Sequence, residues 1–219
     1  MRAKRLPLYA GLLIGAVMAA CGPASEVSPG QALREATVML VPGHCAGVLV
    51  EDGRHVMTAA HCVTPGTQRM DVDLFDGTRM GSTFVLRDEG KDVALFRLEE
   101  LAPIMALPIA PELPAPGDGL LFGGRNDALG EPQQVWLEKL GRCPSLPGVP
   151  QALFTTLHGQ KGDSGAPVVD LALQVVGLVH GGARCSIAAP TAEFAPVVRQ
   201  LAEELRAAET EGKDLAQRR

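Results

Sequence analysis

The segment GDSGAP at residues 162–167 sets a serine in a glycine-rich turn, and it follows TAAHC at 58–62 and DVAL at 92–95 in the chain. Each of these segments is ordinary by itself, because a lone histidine, a strand-opening aspartate and a serine in a turn are usually structural. Read in order, their reactive side chains are a histidine, an aspartate and a serine. That combination predicts a site of nucleophilic catalysis.

Nucleophilic catalysis gives each of the three side chains a role. The hydroxyl of Ser164 is a weak nucleophile at neutral pH and needs an adjacent base. The neutral imidazole of His61 can serve as this base and afterwards as the general acid. The carboxylate of Asp92 would hold the required tautomer and stabilise the imidazolium. The chain order of the three residues separates the pattern from subtilisins and from α/β-hydrolases.

With these three segments, the chain resembles the chymotrypsin/trypsin-like serine proteases, particularly the small bacterial members, over residues 37–205. The resemblance implies peptide-bond hydrolysis through an acyl-enzyme, with His61, Asp92 and Ser164 as the catalytic residues. It also implies an oxyanion hole formed by the backbone N–H groups of Gly162 and Ser164. Protein or peptide substrates are the partners it implies, and no organic cofactor is required.

The strand pattern agrees with the fold that this resemblance implies. Short apolar or alternating segments between turn residues predict strands, and they lie at 37–41, 46–51, 55–59, 70–75, 83–87, 93–98, 120–122, 133–140, 152–157, 167–169 and 174–179. A proline-rich stretch separates them into two groups of about six. We therefore predict an all-β protein of two six-stranded antiparallel barrels with a C-terminal α-helix.

The predicted domain organisation follows from these segments. We predict a trypsin-like serine protease domain at 36–209. It consists of a first barrel at 36–100, a connector at 101–117, a second barrel at 118–195 and a C-terminal helix at 196–209. Apolar residues within the proline-rich connector favour a packed segment over a disordered linker. A charged tail follows at 210–219 and is expected to fray.

The first residues have the pattern of an export signal. Basic residues precede a short apolar run, and the small residues before Cys21 resemble the lipobox of bacterial lipoproteins. We therefore predict a signal peptide over 1–21, lipidation of Cys21 and a tether over 22–35. The expected location is the bacterial cell envelope, with the protein held at the membrane by the lipid. Ordinary secretion, with cleavage beside Ala19, is the alternative.

The cysteines suggest disulfides. Apart from Cys21 the chain contains Cys45, Cys62, Cys143 and Cys185, and an even number in an exported protein is typical of bridges. Four cysteines permit three pairings, of which 45–62 with 143–185 keeps each bridge within one half of the chain. The family resemblance implies the 45–62 bridge. Adjacent His-Cys pairs lack the spacing of a zinc site, so no metal site is predicted.

Side-chain preference is less clearly indicated. The residue six before the serine is His158, where trypsins carry an aspartate, so nothing here favours a lysine or arginine side chain. His158 and His180 are candidate specificity-pocket residues that would favour an acidic side chain, and ordinary loop histidines are the alternative. Asp163 has no predicted N-terminal amine to pair with, and a lysine or backbone N–H groups are expected to hold it.

The net charge and the presence of all three catalytic residue types argue against other functions for the chain. A formal net charge of −5 argues against nucleic acid as a partner. We expect a monomer. The main alternative to an enzyme is a catalytically idle protease-fold envelope lipoprotein that acts as a binding module, because a fold does not guarantee activity. The complete set of three residues favours the enzyme.

Overall fold

A computed structural model describes residues 27–43, 45–124, 132–181 and 186–217. The predicted signal peptide, Cys21 and Cys185 lie outside these residues. The described helices and strands, in chain order, are α1 (Pro29–Ala36), β1 (Thr37–Val41), β2 (Cys45–Val50), β3 (His55–Thr58), β4 (Arg69–Asp73), β5 (Arg79–Asp88), β6 (Val93–Leu98), β7 (Gly119–Phe122), β8 (Gln133–Gly141), β9 (Ala152–Thr155), β10 (Pro167–Asp170), β11 (Val175–Val179), β12 (Ile187–Pro190) and α2 (Ala195–Gln217).

The strands form two closed six-stranded barrels. The order around the first is β1-β2-β3-β6-β5-β4, and around the second it is β10-β11-β12-β9-β8-β7. All neighbouring strands pair antiparallel. Closure leaves neither sheet with a free edge. The predicted all-β fold of two barrels and a C-terminal helix is confirmed.

Strand β12 was not predicted. Its sequence, Ile187–Pro190, is short and contains two alanines, which are depleted in strands. Pairing with β11 on one side and β9 on the other forms the strand and completes the second barrel. Tertiary context therefore determines this strand more than its own sequence does.

The connector between the barrels is packed and touches both. Leu107 bridges to Val50 of the first barrel, and Ile109 bridges to Val175 of the second. Both side chains are buried. The two barrels therefore meet along a segment whose apolar residues belong to the core.

The predicted tether over 22–35 is wrong from Pro29 onward, because this part forms helix α1. Ser28 caps the helix by accepting a hydrogen bond from the Gln31 backbone N–H (3.2 Å), and Pro29 stands at its first turn. Leu33 and Ala36 are buried on one face of the helix. Serine and proline, which suggested a tether, are here helix-start residues.

Helix α2 is also longer than the predicted 196–209. It begins at Ala195 and continues to Gln217, so most of the predicted fraying tail is helical. The added residues 210–217 include glutamate, lysine, leucine, alanine and glutamine, which favour helix. Of the described residues, none belongs to a helix long and apolar enough to cross a membrane.

Both helices pack where the barrels meet. One apolar cluster contains Leu33 of α1, Val198 of α2 and core residues from β2, β3, β6, β10 and β11. Each barrel has a further cluster of its own. The cluster between the barrels fixes their relative position, and with it the position of any site whose residues come from both.

Candidate active site

His61 is held by a short turn and a disulfide. It lies in a 3-10 turn, Ala60–Cys62, directly after β3. Cys62 is bridged to Cys45 at the start of β2, which confirms the predicted pairing. The Arg87 Nε–H group also donates to the Ala60 carbonyl oxygen (3.1 Å). The turn is therefore fixed from two sides, while the His61 side chain stays 41 % exposed.

Asp92 lies at the start of β6 and faces this turn. Its side chain is only 5 % exposed. The His61 backbone N–H donates to Asp92 Oδ1 (2.9 Å), and His61 Nδ1 lies 3.0 Å from Oδ1 and 2.9 Å from Oδ2. A carboxylate can only accept, so Nδ1 carries the ring proton and Nε2 presents a free lone pair. This is the tautomer that a general base requires.

A second imidazole contacts the same carboxylate. His180, directly after β11, places its Nδ1 in a very close contact with Asp92 Oδ2. Burial by itself would raise the pKa of Asp92, but hydrogen bonds from His180 and His61 outweigh it and lower the pKa from 3.8 to about 2. Asp92 is therefore ionised throughout the neutral range, as an orienting carboxylate must be.

Ser164 lies in the loop between β9 and β10, against the first barrel. The Ala46 backbone N–H donates to the Ser164 carbonyl oxygen (2.8 Å), and the Gly165 N–H donates to the Val179 carbonyl oxygen (2.8 Å). Gly162 and Gly165 have φ values of +105° and +83°, a region that favours glycine. These contacts fix the loop backbone on which the Ser164 hydroxyl stands.

The predicted oxyanion-hole donors are free to bind a ligand. Among the described residues, neither the Gly162 N–H nor the Ser164 N–H donates to a backbone or side-chain acceptor. The neighbouring N–H groups of Gly165 and Ala166 do have acceptors. Two N–H groups without an acceptor, in the loop that carries Ser164, are compatible with stabilisation of a developing oxyanion.

Asp163, between these two donors, is 3 % exposed. Its Oδ2 accepts a hydrogen bond from the Gln160 backbone N–H (2.6 Å). We expected either a lysine or backbone N–H groups to hold Asp163, and this partner is a backbone N–H group. A Cβ built on Gly124 would lie 2.8 Å from Asp163 Oδ1, so the neighbouring backbone approaches this carboxylate closely.

The structure joins two of the three predicted catalytic side chains by hydrogen bonds. Within the described residues, no hydrogen bond links Ser164 Oγ to His61. Ser164 Oγ instead faces the backbone of Gly181, where a built Cβ would lie 3.6 Å away. Catalytic hydrogen bonds of unliganded enzymes are often long and tighten only when substrate binds, so this arrangement is compatible with a nucleophile–base pair.

The two specificity-pocket candidates have different surroundings. His158 lines a cavity of about 160 Å³, together with Leu157, Val179, Gly181 and Ile187. His180 does not line this cavity, because its ring turns away toward Asp92. The structure therefore does not bring His180 and His158 together in one cavity, and their assignment to a specificity pocket stays a prediction. Nothing in the local sequence indicated this contact, since the partners are brought together by barrel packing.

The second predicted bridge, Cys143–Cys185, has one partner outside the described residues and stays a prediction. Cys143 itself is buried. It lies in a separate apolar cluster with Leu146, Val149 and Ile187. Its Sγ is 3.0 Å from Ser145 Oγ.

Comparison with known proteins agrees with this architecture. The model of the trypsin-like peptidase domain family matches residues 45–178. The MamO protease domain from Magnetospirillum magneticum in its apo form superposes with a TM-score of 0.60 at 18% identity, over 75% of this chain and 96% of that one. The Rv3671c protease in an inactive form gives 0.60 at 22% identity, over 81% and 98%. No curated protein sequence matches the chain.

Proposed function

Since the chain belongs to the trypsin-like peptidase domain family, we propose that it is a serine endopeptidase in which His61, Asp92 and Ser164 form the catalytic triad. The hydrogen-bonded pair of His61 and Asp92 is the observation that carries this proposal. A buried carboxylate accepts both the backbone and the ring N–H of the histidine. The pair leaves His61 Nε2 as the basic atom on the exposed side of the ring.

The proposed reaction is acyl transfer in two steps. His61 Nε2 takes the hydroxyl proton as Ser164 Oγ attacks the peptide carbonyl carbon. The resulting oxyanion accepts hydrogen bonds from the Gly162 and Ser164 N–H groups. His61 then gives its proton to the leaving amine. Water attacks the acyl-enzyme, its proton passes to His61, and Ser164 is regenerated with release of the new carboxyl group.

The cavity lined by His158 and Gly181 supports discrimination against a basic side chain in the substrate. Leu157, Val179 and Ile187 form its apolar walls, and none of its described lining residues is acidic. A lysine or arginine side chain would find no partner charge among these residues. His158 and Ser186 are polar lining residues, and the imidazole of His158 would form a hydrogen bond with an acidic group.

Export, lipidation at Cys21 and a monomeric state complete the proposal. Export and lipidation are supported by the sequence of residues 1–21 and by the disulfide of the first barrel, since disulfides persist in oxidising compartments. Radiolabelled palmitate incorporation that Cys21→Ser abolishes would support the anchor. Unlabelled wild-type protein would contradict it.

A fluorophosphonate probe tests the enzymatic proposal directly. The purified protein is treated with the probe and digested, and the adduct is mapped by mass spectrometry, beside a Ser164→Ala control. We expect one adduct on Ser164, absent from the control, because only an activated serine reacts. A folded protein with the Cys45–Cys62 bridge intact and no adduct would contradict the proposal and favour the catalytically idle binding module.

A further inference from the structure

Two imidazole rings converge on one carboxylate in this site. His61 Nδ1 lies 2.9 Å from Asp92 Oδ2, and His180 Nδ1 contacts the same oxygen even more closely. The two rings meet edge to face, with centroids 5.2 Å apart and an interplanar angle of 82°. One donor atom from each of the three residues lies within 4.8 Å of the other two.

We propose that His61, Asp92 and His180 form a binding site for a divalent transition-metal ion such as Zn²⁺, and that the bound metal blocks the peptidase. Two imidazole nitrogens and one carboxylate oxygen are a ligand set that zinc takes in proteins, with a water in the fourth position. The ion would replace the two Nδ1 protons that now lie against Asp92.

The present geometry needs a shift of the His61 ring to accept the ion. Bonds of about 2.0–2.2 Å in a tetrahedral arrangement place donor atoms roughly 3.3 Å apart. His61 Nδ1 and Asp92 Oδ2 are already 2.9 Å apart. All three donor atoms lie within 4.8 Å of one another, and the ring of His61, with 41 % of its side chain exposed, can move to bring them to this separation.

The other two ligands are held in place by burial. The side chains of Asp92 and His180 are 5 % and 15 % exposed. Their contact with each other joins the first barrel to the second. They therefore provide a preorganised pair of donors, and the exposed side of the site leaves the fourth position open to water.

The metal would disable the base without touching the nucleophile. When His61 Nδ1 binds the ion, the ring proton must lie on Nε2. That atom then has no lone pair to accept the Ser164 proton. The inhibitory part of the proposal rests on the proposed peptidase function, whereas metal binding does not depend on it.

Isothermal titration calorimetry with ZnCl₂ tests the binding site on the full metal-free chain. Wild type is compared with His180→Gln and with the matched control His158→Gln, which removes a histidine outside the cluster. We expect one site in wild type and in His158→Gln. In His180→Gln the affinity should fall by at least the ~10–100-fold that even loss of an outer-shell partner costs.

His61→Gln is the second variant, because its exposed side chain can be replaced without disturbing the core. It too should lose the site. No binding to wild type, or wild-type affinity in both His180→Gln and His61→Gln, would overturn the proposal. A simple positioning role of His180, through its hydrogen bond to Asp92, would give no metal binding at all.

Probe labelling in the presence of zinc tests inhibition separately. Zinc should suppress fluorophosphonate labelling of Ser164 in wild type, and a chelator should restore it, whereas His180→Gln should label equally with and without zinc. Binding without suppression would overturn the inhibitory part. If Ser164 does not label even without zinc, the peptidase proposal fails, and calorimetry still decides whether the metal site exists.

Discussion

The backbone at Gly165 leaves no room for a side chain. A Cβ built there would lie 2.3 Å from the Ala46 carbonyl oxygen and 2.4 Å from Thr58 Oγ1. The contact is between the loop of the second barrel that carries Ser164 and strands of the first. The absence of a side chain at residue 165 therefore allows Ser164 to approach the turn that carries His61.

Gly165→Ala should destabilise the protein more than the backbone conformation alone explains. Gly77→Ala is the matched control, because Gly77 has φ +85° against +83° for Gly165 but no atom within 4 Å of its built Cβ. We expect Gly77→Ala to cost about 1–2 kcal/mol of unfolding free energy from backbone strain. Gly165→Ala should cost on the order of 1–3 kcal/mol more, from overpacking. Urea unfolding measures both, and equal losses would show that the close approach carries no energy.

The sequence predicted the role of a residue where a reaction requires a particular side chain. It did not predict contacts that form only when the two barrels pack together. His61 and Asp92 were identified from their segments, and the structure joins them by hydrogen bonds. The contact between His180 and Asp92 was missed, because the two residues come from different barrels. No local pattern reports a contact of that kind.

Among the elements, α2 is tied to the turn between β2 and β3. Arg199 Nε lies 3.1 Å from Glu51 Oε1, and its Nη2 donates to the Ile109 carbonyl oxygen (2.7 Å). Glu51 also accepts from the Ile109 backbone N–H (3.0 Å). A second pair joins Arg54 to Glu209 at 2.7 Å. The first arrangement binds helix, turn and connector together around a carboxylate that is only 14% exposed, whereas the second pairs Arg54 with a 38% exposed glutamate, beside a long hydrogen bond (3.4 Å) to the Glu99 carbonyl oxygen.

Arg199→Met should therefore cost more stability than Arg54→Met. Loss of Arg199 removes charge-assisted hydrogen bonds to a half-buried network, which should lower the unfolding free energy by roughly 1.5–3 kcal/mol. Loss of Arg54 removes a surface ion pair, worth about 0–1 kcal/mol. Methionine keeps most of the apolar stem in both variants. Thermal and urea unfolding compare them, and an equal or reversed ranking would contradict the network.

Elements with a strong pattern were predictable from the sequence. The alternation over Arg69–Asp73 and the apolar run of Val93–Leu98 predicted β4 and β6. Helix α1 was missed, because its serine and proline are equally typical of a tether and of a helix start. Burial of Leu33 against the barrels decides between the two structures.

For the molecule as a whole, the apolar cluster between the barrels determines how the site is assembled. His61 and Asp92 belong to the first barrel and Ser164 to the second. Leu33 is fully buried in this cluster, and a Cβ built on Gly123 would lie 3.0 Å from its Cγ. Helix α1 therefore contributes to the same core as the strands of both barrels.

Leu33→Ala should lower the unfolding free energy by about 2–5 kcal/mol, the range for a buried leucine that leaves a cavity. Val27→Ala is the control just before the helix, where the side chain is 45% exposed, and should change stability by no more than about 0.5 kcal/mol. Differential scanning calorimetry and urea unfolding report both. A neutral Leu33→Ala would mean that residues 29–36 are a tether after all.

The start of helix α1 at Pro29 also limits how far the folded domain could lie from a membrane anchor at Cys21. For a chain anchored to a membrane at Cys21, only residues 22–28 separate the lipid from the first packed helix. At about 3.5 Å per residue, this stretch spans at most about 25 Å when fully extended. The folded domain of such a protein would stay within about that distance of the bilayer and would contact only partners that reach the membrane surface.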